Sequence, residues 1–431
     1  MIVWLRDLAP PSNLDGAALT AYVLLDVFLI VILARLLGNM MVRVRQPRVV
    51  GEILAGILLG PTLIGNNLSE VIAPLQARPI LNVLATLGLI LFMFLAGVEF
   101  DVNQVKGRGS QAAILAILSV AIPALIGFPL AQAIHNPLYA GLAGESFLPF
   151  ALLIGAALSV TAFPVMAHIL MELGELNSRI GALSVAAAGL MSVVMFTYIA
   201  FAETVASANG FDSLLVRIGL MAAFALASWF VARPLLARLL MGKADREAPS
   251  GNAMAILFAG MVLAALIAQL LGIHALLGGF FWGVIQPSNT VFRRFVANKI
   301  RDISMILFLP VFFAMAGFST DLRLLTVETL PVIALFLLAA IGSKFAGALP
   351  GRAIGLSWVE VSILGALFNT RGLLVLVVGL IGLQLQIIST LTFTVIVLVA
   401  LVTNMMTLPL LNLFYRRQAK PITAVSAIQD S

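Results

Sequence analysis

Residues 158–165 read LSVTAFPV, and residues 368–372 read FNTRG. Each stretch interrupts a long apolar run, the first with Pro164 and the second with polar residues followed by Gly372. Proline inside a helix removes a backbone hydrogen bond and clashes with the preceding turn. Broken helix ends at membrane depth must be buried in protein or line a cavity. The two stretches therefore predict two interrupted membrane helices whose broken ends are enclosed by the rest of the chain.

The composition places both stretches in a membrane. Of the 431 residues, 61% are hydrophobic and 10% are charged, whereas an ordinary soluble domain has about 25% charged residues. The chain has no cysteine and three widely separated histidines, so neither a metal site nor any cofactor is predicted. The net charge of +6 is ascribed to basic cytoplasmic loops, and no nucleic-acid partner is predicted.

Long apolar runs set the number of membrane helices, since a helix needs about 20 apolar residues to cross the hydrocarbon core. Thirteen runs meet or approach this length, and the ninth is the shortest. The predicted spans are 19–38, 48–64, 79–99, 110–135, 146–171, 178–203, 214–241, 252–272, 274–286, 301–317, 328–350, 357–381 and 385–414.

The basic residues give the orientation of these spans. Most lysines and arginines lie in loops after odd-numbered spans. The N-terminus and the loops after even-numbered spans hold only Arg6, Arg78, Arg217 and Arg323. Because basic loops stay in the cytoplasm, we predict a multi-pass protein of the cell inner (plasma) membrane. Its N-terminus is predicted to lie outside and its C-terminus in the cytoplasm.

The thirteen predicted spans divide into a first group of six, a single joining helix and a second group of six. Two six-helix repeats joined by one helix would be inverted in the membrane, and the interrupted stretches fall in the fifth span of each repeat. Inverted repeats with corresponding broken helices are typical of secondary transporters, which bind substrate at the breaks. The sequence therefore predicts an all-α polytopic transporter. The HExxH, GxSxG and GxGxxG motifs are absent, so an enzyme is not predicted.

Two basic residues lie deep within the predicted spans. Lys344 is about 14 residues from the outer start of its span, too deep for its ammonium group to reach the interface easily. Because burial favours the neutral amine, this lysine can release a proton; the alternative is a structural cation that caps helix carbonyls. Arg371 stays protonated, and its fork of donors favours a structural role on backbone carbonyls.

Other polar residues complete the candidate site. Thr161, Asn369 and Thr370 supply neutral oxygens at the two breaks. Such oxygens suit weakly bound monovalent cations, although these residue types also form hydrogen bonds between membrane helices. Asp26 lies about two turns into the first span. It is either a proton site or a residue that reaches the outer interface.

Several long segments carry a family resemblance. They resemble the monovalent cation:proton antiporter family, in the branch with bacterial potassium-efflux systems and plant cation/proton exchangers. The segments are QPRVVGEILAGILLGPTLIG (46–65), LILFMFLAGVEFD (89–101), ALSVTAFPVMAHILMELGELNSRIGALS (157–184), GIHALLGGFFWGVIQP (272–287), LPVFFAMAGFSTDL (309–322) and LFNTRGLLVLVVGLIGLQLQIISTLTFTVIVLVALVTNMMTLPLL (367–411).

The resemblance implies a homodimer in which a transport core moves against a scaffold like an elevator. Thr161, Lys344, Asn369 and Arg371 match positions of the family's two breaks and its intramembrane lysine. The implied organisation is an outer segment 1–18, scaffold 19–105 and 251–325, transport core 106–210 and 326–415, linker helix 211–250, and cytoplasmic tail 416–431.

The sequence departs from the family after the first break. The family has Asn-Asp or Asp-Asp there, and the aspartate is the expected cation ligand and proton carrier. An alignment without gaps places Met191 and Ser192 at these positions. Val375 stands where a glutamate is usual, and His168 replaces a usual arginine. Ser192 cannot titrate as a carboxylate does, so the predicted site lacks its usual negative charge.

Several interpretations follow from this departure. In the first, the protein exchanges Na⁺ or K⁺ for protons, with Lys344 as the proton carrier and Asp26 assisting. In the second, Lys344, Arg371 and the helix N-termini attract an anion or another organic solute. The third is a transport-inactive membrane sensor or scaffold, and the fourth is an inactivated variant. The first interpretation is the predicted function, with monovalent cations, protons and the lipid bilayer as partners.

Overall fold

The computed structural model describes residues 16–44, 46, 48–99, 109–142, 146–175, 178–207, 211–241, 251–272, 274–287 and 289–417. Within these ranges the chain is almost entirely helical. Its β-type pairing there is an isolated antiparallel bridge between Ala140 and Ile388. The predicted all-α fold is therefore confirmed. Most of the predicted outer segment 1–18 and of the tail 416–431 lies outside the described residues.

The chain divides into two compact units, each built from two stretches of sequence. Unit 1 comprises residues 1–101 and 207–319. Its helices are α1 Gly16–Arg43, α2 Arg48–Leu59, α3 Pro61–Ile72, α4 Arg78–Glu99, α9 Phe211–Ala227, α10 Arg233–Met241, α11 Gly251–Leu270, α12 Ala275–Val284, α13 Thr290–Ile303 and α14 Leu309–Phe318.

Unit 2 comprises residues 102–206 and 320–431. Its helices are α5 Gly109–Ile134, α6 Phe147–Ser159, α7 Phe163–Glu172, α8 Arg179–Ser207, α15 Leu330–Ala348, α16 Trp358–Phe368, α17 Leu373–Gln384 and α18 Thr390–Arg417. Short π and 3₁₀ turns join some of these helices in both units.

Many helices are long and apolar enough to cross a membrane. Within the described ranges nine helical segments meet this condition alone, and α16 with α17 makes a tenth if the bent pair is one span. The apolar helices α6 and α12 are too short to cross alone. The polytopic membrane fold is thus confirmed, while the count of thirteen spans stays a prediction.

Small residues let the helices of each unit pack closely. In unit 1, a Cβ atom added to Gly56 of α2 would lie 2.6 Å from the Cα atom of Ala314 in α14. In unit 2, a Cβ atom added to Gly127 of α5 would lie 2.7 Å from the backbone nitrogen of Gly155 in α6. Membrane helices associate largely through such close backbone packing. In unit 2 this packing brings α5 and α6 together beside the first break.

A candidate ion and proton site in the second unit

Both predicted interruptions are present in unit 2. Helix α6 ends at Ser159 and α7 begins at Phe163, with Pro164 in the first turn of α7. Helix α16 ends at Phe368 and α17 begins at Leu373, and the two helices are bent by 48°. Pro164 favours the start of a helix because its missing N–H would have no partner there.

The two interruptions contact each other directly. The backbone N–H of Ala162 donates to the carbonyl oxygen of Thr370 at 2.9 Å. The hydroxyl of Thr161 donates to the carbonyl oxygen of Phe368 at 2.9 Å. A Cβ atom added to Gly372 would lie 2.7 Å from the Cβ atom of Ala162. Gly372 therefore provides the space that this crossing of two chains requires.

Lys344 of α15 reaches the first break from the side. Its side chain is fully buried. The ammonium group donates to the hydroxyl of Thr161 at 2.9 Å and to the carbonyl oxygen of Ser119 at 3.3 Å. It also donates to the carbonyl oxygen of Ser159. An ammonium group has three N–H donors, so each of them has an oxygen partner.

Arg371 belongs to the second break, but its guanidinium group donates hydrogen bonds to carbonyl oxygens at the first break. It is 1% exposed. One terminal nitrogen donates to the carbonyl oxygen of Ala157, and the other donates to Leu158 at 3.0 Å and Ala340 at 3.2 Å. Its backbone N–H donates to the Oδ1 atom of Asn404 at 2.9 Å. Arg371 thus ties α6, α15 and the second break together.

These contacts account for the last carbonyl groups of α6. The last four carbonyls of a helix have no partner within the helix, and its C-terminus carries a partial negative charge. Arg371 binds Ala157 and Leu158, and Lys344 binds Ser159. Two cations therefore stabilise the broken end of α6, and its dipole offsets part of their charge.

The polar residues of the second break differ in how they are bonded. Thr370 donates its hydroxyl hydrogen to the carbonyl oxygen of Leu367 at 2.7 Å. Asn369 is fully buried, and both polar atoms of its side chain lack a hydrogen-bond partner in the described part of the chain. Buried amides without partners are rare. The Asn369 amide is therefore available to a ligand or water at the crossing.

Met191 and Ser192 lie on α8. Met191 is 2% exposed, and Ser192 is half-buried. The Ser192 hydroxyl donates to the carbonyl oxygen of Ala188 in its own helix at 3.0 Å. Six residues later, the Tyr198 hydroxyl donates to the carbonyl oxygen of Leu152 in α6 at 3.0 Å. Ser192 therefore lies about 9 Å along the axis of α8 from Tyr198, the residue whose hydroxyl contacts α6.

Asp26 belongs to the other unit. It lies on α1 of unit 1, whereas Thr161, Ser192, Lys344 and the second break lie in unit 2. Asp26 is 1% exposed. Its carboxylate is therefore enclosed within unit 1 rather than exposed at the protein surface.

Two acidic residues of unit 2 form ion pairs away from the two breaks. Glu360 lies 4.0 Å from Arg179, and Asp321 forms a 2.8 Å ion pair with Arg323. In those ranges, neither Lys344 nor Arg371 forms an ion pair within 4 Å. The ammonium group of Lys344 and the two terminal nitrogens of Arg371 donate to neutral oxygens instead. The Nε atom of Arg371 has no hydrogen-bond partner in the described part of the chain.

The sequence did not single out several of these partners. Ser119, Ser159 and Ala340 contribute backbone carbonyl oxygens, which have no signature in the residue type. Asn404 contributes a side chain, and it is a polar residue within the long apolar run of α18. That pattern could have identified Asn404, because polar residues in membrane helices commonly bond to other helices.

A family model described as "Sodium/hydrogen exchanger, transmembrane" matches residues 28–412 of this chain. The chain belongs to the sodium/hydrogen exchanger family. This confirms the predicted family resemblance. The paired breaks and the buried Lys344 therefore lie in a member of a family of cation/proton antiporters.

Relatives of this chain include antiporters from several organisms. The chain is 34% identical over 403 residues to Na(+)/H(+) antiporter NhaS4 of Synechocystis sp., covering 91% of this chain and 97% of the relative. It is 32% identical over 414 residues to Cation/H(+) antiporter 19 of Arabidopsis thaliana, covering 92% of this chain but 50% of the relative. It is 32% identical over 416 residues to K(+)/H(+) antiporter 1 of Saccharomyces cerevisiae, covering 94% of this chain and 48% of the relative.

A solved structure shows the same fold. The sodium proton antiporter MjNhaP1 from Methanocaldococcus jannaschii matches with a TM-score of 0.67, covering 93% of this chain and 97% of that one. The sequence identity is 16%, so this likeness concerns the arrangement of helices alone.

Proposed function

We propose that this protein exchanges a monovalent cation, Na⁺ or K⁺, for protons, and that Lys344 carries the proton. The observation that carries the proposal is the position of the Lys344 ammonium group. It is fully buried at the crossing of two broken helices, bound to Ser119, Ser159 and Thr161 through oxygen atoms. The antiporter names of the relatives NhaS4 and K(+)/H(+) antiporter 1 support the same class of activity.

The oxygens around Lys344 allow exchange without a carboxylate. A protonated lysine donates hydrogen bonds to all three oxygens, and a neutral amine has fewer hydrogens to donate. Carbonyl and hydroxyl oxygens can replace the hydration shell of a monovalent cation. Loss of the Lys344 proton therefore releases ligands for a cation, and arrival of a proton expels it. The charge at the site stays the same, so one proton exchanges for one cation.

The unpartnered amide of Asn369 fits this scheme. It is fully buried at the second break, next to Thr370, whose carbonyl oxygen accepts from Ala162. Its Oδ1 atom can complete the set of neutral oxygens that bind a cation. Ser192 on α8 cannot act as a titrating aspartate would, because a serine hydroxyl does not ionise near neutral pH. Its hydroxyl hydrogen is donated to Ala188 of the same helix.

The same contacts weigh against the alternative of an anion substrate. The three donors of Lys344 point at oxygens of the protein. Both terminal nitrogens of Arg371 also point at carbonyl oxygens. An anion would have to displace these carbonyl oxygens from the donors that bind them, and the donor it could use without displacement is the unpartnered Nε atom of Arg371. A cation requires only that Lys344 lose its proton.

The transport core in this proposal is unit 2, and unit 1 is the scaffold. Both breaks, Lys344, Arg371 and their hydrogen-bond partners belong to unit 2, so the site can move as one body. Alternating access then occurs by an elevator-like movement of unit 2, in a homodimer held by unit 1. The protein lies in the inner (plasma) membrane with its N-terminus outside and its C-terminus in the cytoplasm.

Proteoliposomes test this proposal directly. Purified protein would be reconstituted with a lumenal pH dye under an imposed pH gradient, and Na⁺, K⁺, Rb⁺ and Li⁺ would be added in turn. We expect a saturable, cation-selective pH change that protein-free liposomes lack. One-for-one exchange also predicts that an imposed membrane potential leaves the rate unchanged. If folded protein gives no lumenal pH change with any of these cations, the proposal is overturned, and anions would then be tested.

A further inference from the structure

Asp26 is a buried carboxylate that the proposed exchange cycle does not use. It is 1% exposed on α1, and it shares a buried face with Val23 and Ile30. It lies ten residues after the helix start at Gly16, which is about 15 Å along the axis. Neither carboxylate oxygen has a hydrogen-bond partner in the described part of the chain. Such a group within a membrane helix is costly and usually has a function.

The charged groups around Asp26 are few. Helices α2, α4 and α14 pack against α1. Of these, α14 has no charged residue, and α4 contributes Arg78, whose charge acts on Asp26. The remaining charged residues of α1 and α2 are Arg35, Arg43, Arg48 and Glu52, and they lie toward the other end of α1. Arg35 and Arg48 act on the charge of Glu52.

Arg78 is held by other groups. Its Nε atom donates to the carbonyl oxygen of Ala73 at 3.4 Å, and its guanidinium lies 5.9 Å from the ring centre of Phe318. Glu70 also acts on its charge. Among the described residues no ion pair within 4 Å joins Arg78 to Asp26. The carboxylate therefore has a cation in its vicinity but no bonded partner.

We propose that Asp26 is a second proton-binding site, carried by unit 1 and separate from Lys344. A buried carboxyl group needs a hydrogen-bond donor, a bound cation or a proton to avoid the cost of an isolated charge. A monovalent cation would need several further oxygens around it, and no polar group among the residues that the structure describes is bonded to the Asp26 side chain. A proton needs no other ligand, so it is the occupant that this apolar setting suits.

Loss of this proton has a structural consequence. The carboxylate then attracts Arg78, which binds the carbonyl of Ala73 between α3 and α4 and lies beside Phe318 at the end of α14. Deprotonation of Asp26 therefore shifts the connection between α3 and α4. Unit 1 thereby responds to pH through a residue outside the exchange site.

Infrared spectroscopy tests the site without any transport assay. A protonated carboxyl group has a C=O stretching band that a carboxylate and an amide lack. We expect this band in the wild-type protein at neutral pH, its loss in Asp26→Asn, and its retention at a shifted frequency in Asp26→Glu. Asp321→Asn, at the surface in an ion pair with Arg323, and Lys344→Ala should both retain it. If Asp26→Asn leaves the carboxyl bands unchanged at every pH, the proposal is overturned.

A fluorescent label tests the structural consequence. The chain has no cysteine, so a cysteine at exposed Leu75, between α3 and α4, can be labelled uniquely. We expect a pH-dependent change of a pH-insensitive dye at this position, and its loss when Asp26→Asn is added. A label at exposed Leu142 of unit 2 is the control, and its fluorescence should not change when Asp26→Asn is added. The same pH response at position 75 with and without Asp26 would overturn the link to Arg78.

Discussion

The two helix breaks of unit 2 are alike in position but opposite in how their ends are satisfied. At the first break, the carbonyls of Ala157, Leu158 and Ser159 accept hydrogen bonds from the two cations. At the second break, the carbonyls of Leu367 and Phe368 accept from the hydroxyls of threonines. One broken end is therefore stabilised by charge, and the other by neutral donors.

This difference explains how a site without a carboxylate can keep two buried cations. Arg371 belongs to the second break in sequence, yet its guanidinium serves the first. The negative end of the α6 dipole and its carbonyl oxygens offset part of the charge of the two cations. The neutral second break, with the unpartnered amide of Asn369, is left for a ligand. Charge compensation therefore lies at the first break, and the second break adds the Asn369 amide to the oxygens that Lys344 would release.

The largest effect is expected from removing the titrating cation of the first break. Lys344→Ala should abolish cation-coupled proton flux in proteoliposomes while leaving membrane insertion intact, because the proposed cycle has no other proton carrier in unit 2. Lys299→Ala is the control, since Lys299 is exposed on α13. Near-normal flux in the folded Lys344 variant would refute a direct role and leave Lys344 as a structural cap.

The next effect concerns the other cation of the first break. Arg371→Ala leaves the carbonyls of Ala157, Leu158 and Ala340 without this donor. An unsatisfied buried group costs about 1–3 kcal/mol, so we expect a clear fall in the thermal unfolding temperature in detergent.

Two further variants sharpen this prediction about Arg371. Arg371→Lys should recover part of the loss, because one ammonium cannot reproduce the fork of the guanidinium. Arg352→Ala removes an exposed arginine of the same unit that stacks on Trp358 and donates to the carbonyl oxygen of Leu356, and it should lower the unfolding temperature less than Arg371→Ala does. A stable Arg371→Ala protein would mean that the charged capping of α6 is dispensable.

A smaller effect is expected from the hydroxyl that joins the two breaks. Thr161→Val removes an acceptor of Lys344 and the donor to Phe368, so exchange should fall about tenfold, as for the loss of roughly 1.4 kcal/mol of interaction. Thr392→Val removes a comparable buried bond to the carbonyl of Tyr139, 2.7 Å long, in the same unit. It should reduce stability but not exchange. Equal losses of exchange in both variants would show a general packing effect instead.

The sequence predicted those features that depend on residue type. Apolar runs predicted an all-α membrane fold, and the polar and proline-bearing stretches at 158–165 and 368–372 predicted two interruptions. Depth within an apolar run identified Lys344 and Arg371 as candidates. Each of these predictions rests on the cost of a polar group or a broken helix in lipid, which the sequence records directly.

The remaining features depend on three-dimensional neighbours. Ala157, Leu158 and Ala340 bind Arg371 through carbonyl oxygens, and an apolar residue type gives no sign of this. For Asp26 the sequence left two options, a proton site or the outer interface. The structure encloses it in unit 1, because the helices packed against α1 cover the face on which it lies. The number of membrane spans and the roles of individual site residues remain predictions.

The smallest effect is expected from returning a carboxylate to α8. Met191→Asn with Ser192→Asp recreates the family's usual pair on a helix that contacts α6 through Tyr198. A carboxylate on this helix adds a negative charge to unit 2 and should strengthen cation dependence, which a several-fold lower half-saturating cation concentration would report. Thr197→Asp, at an exposed position of the same helix, controls for added charge alone. If the folded double variant shows no cation response beyond that control, either these positions do not correspond to the family's pair or the neutral oxygens at the breaks already set the cation affinity.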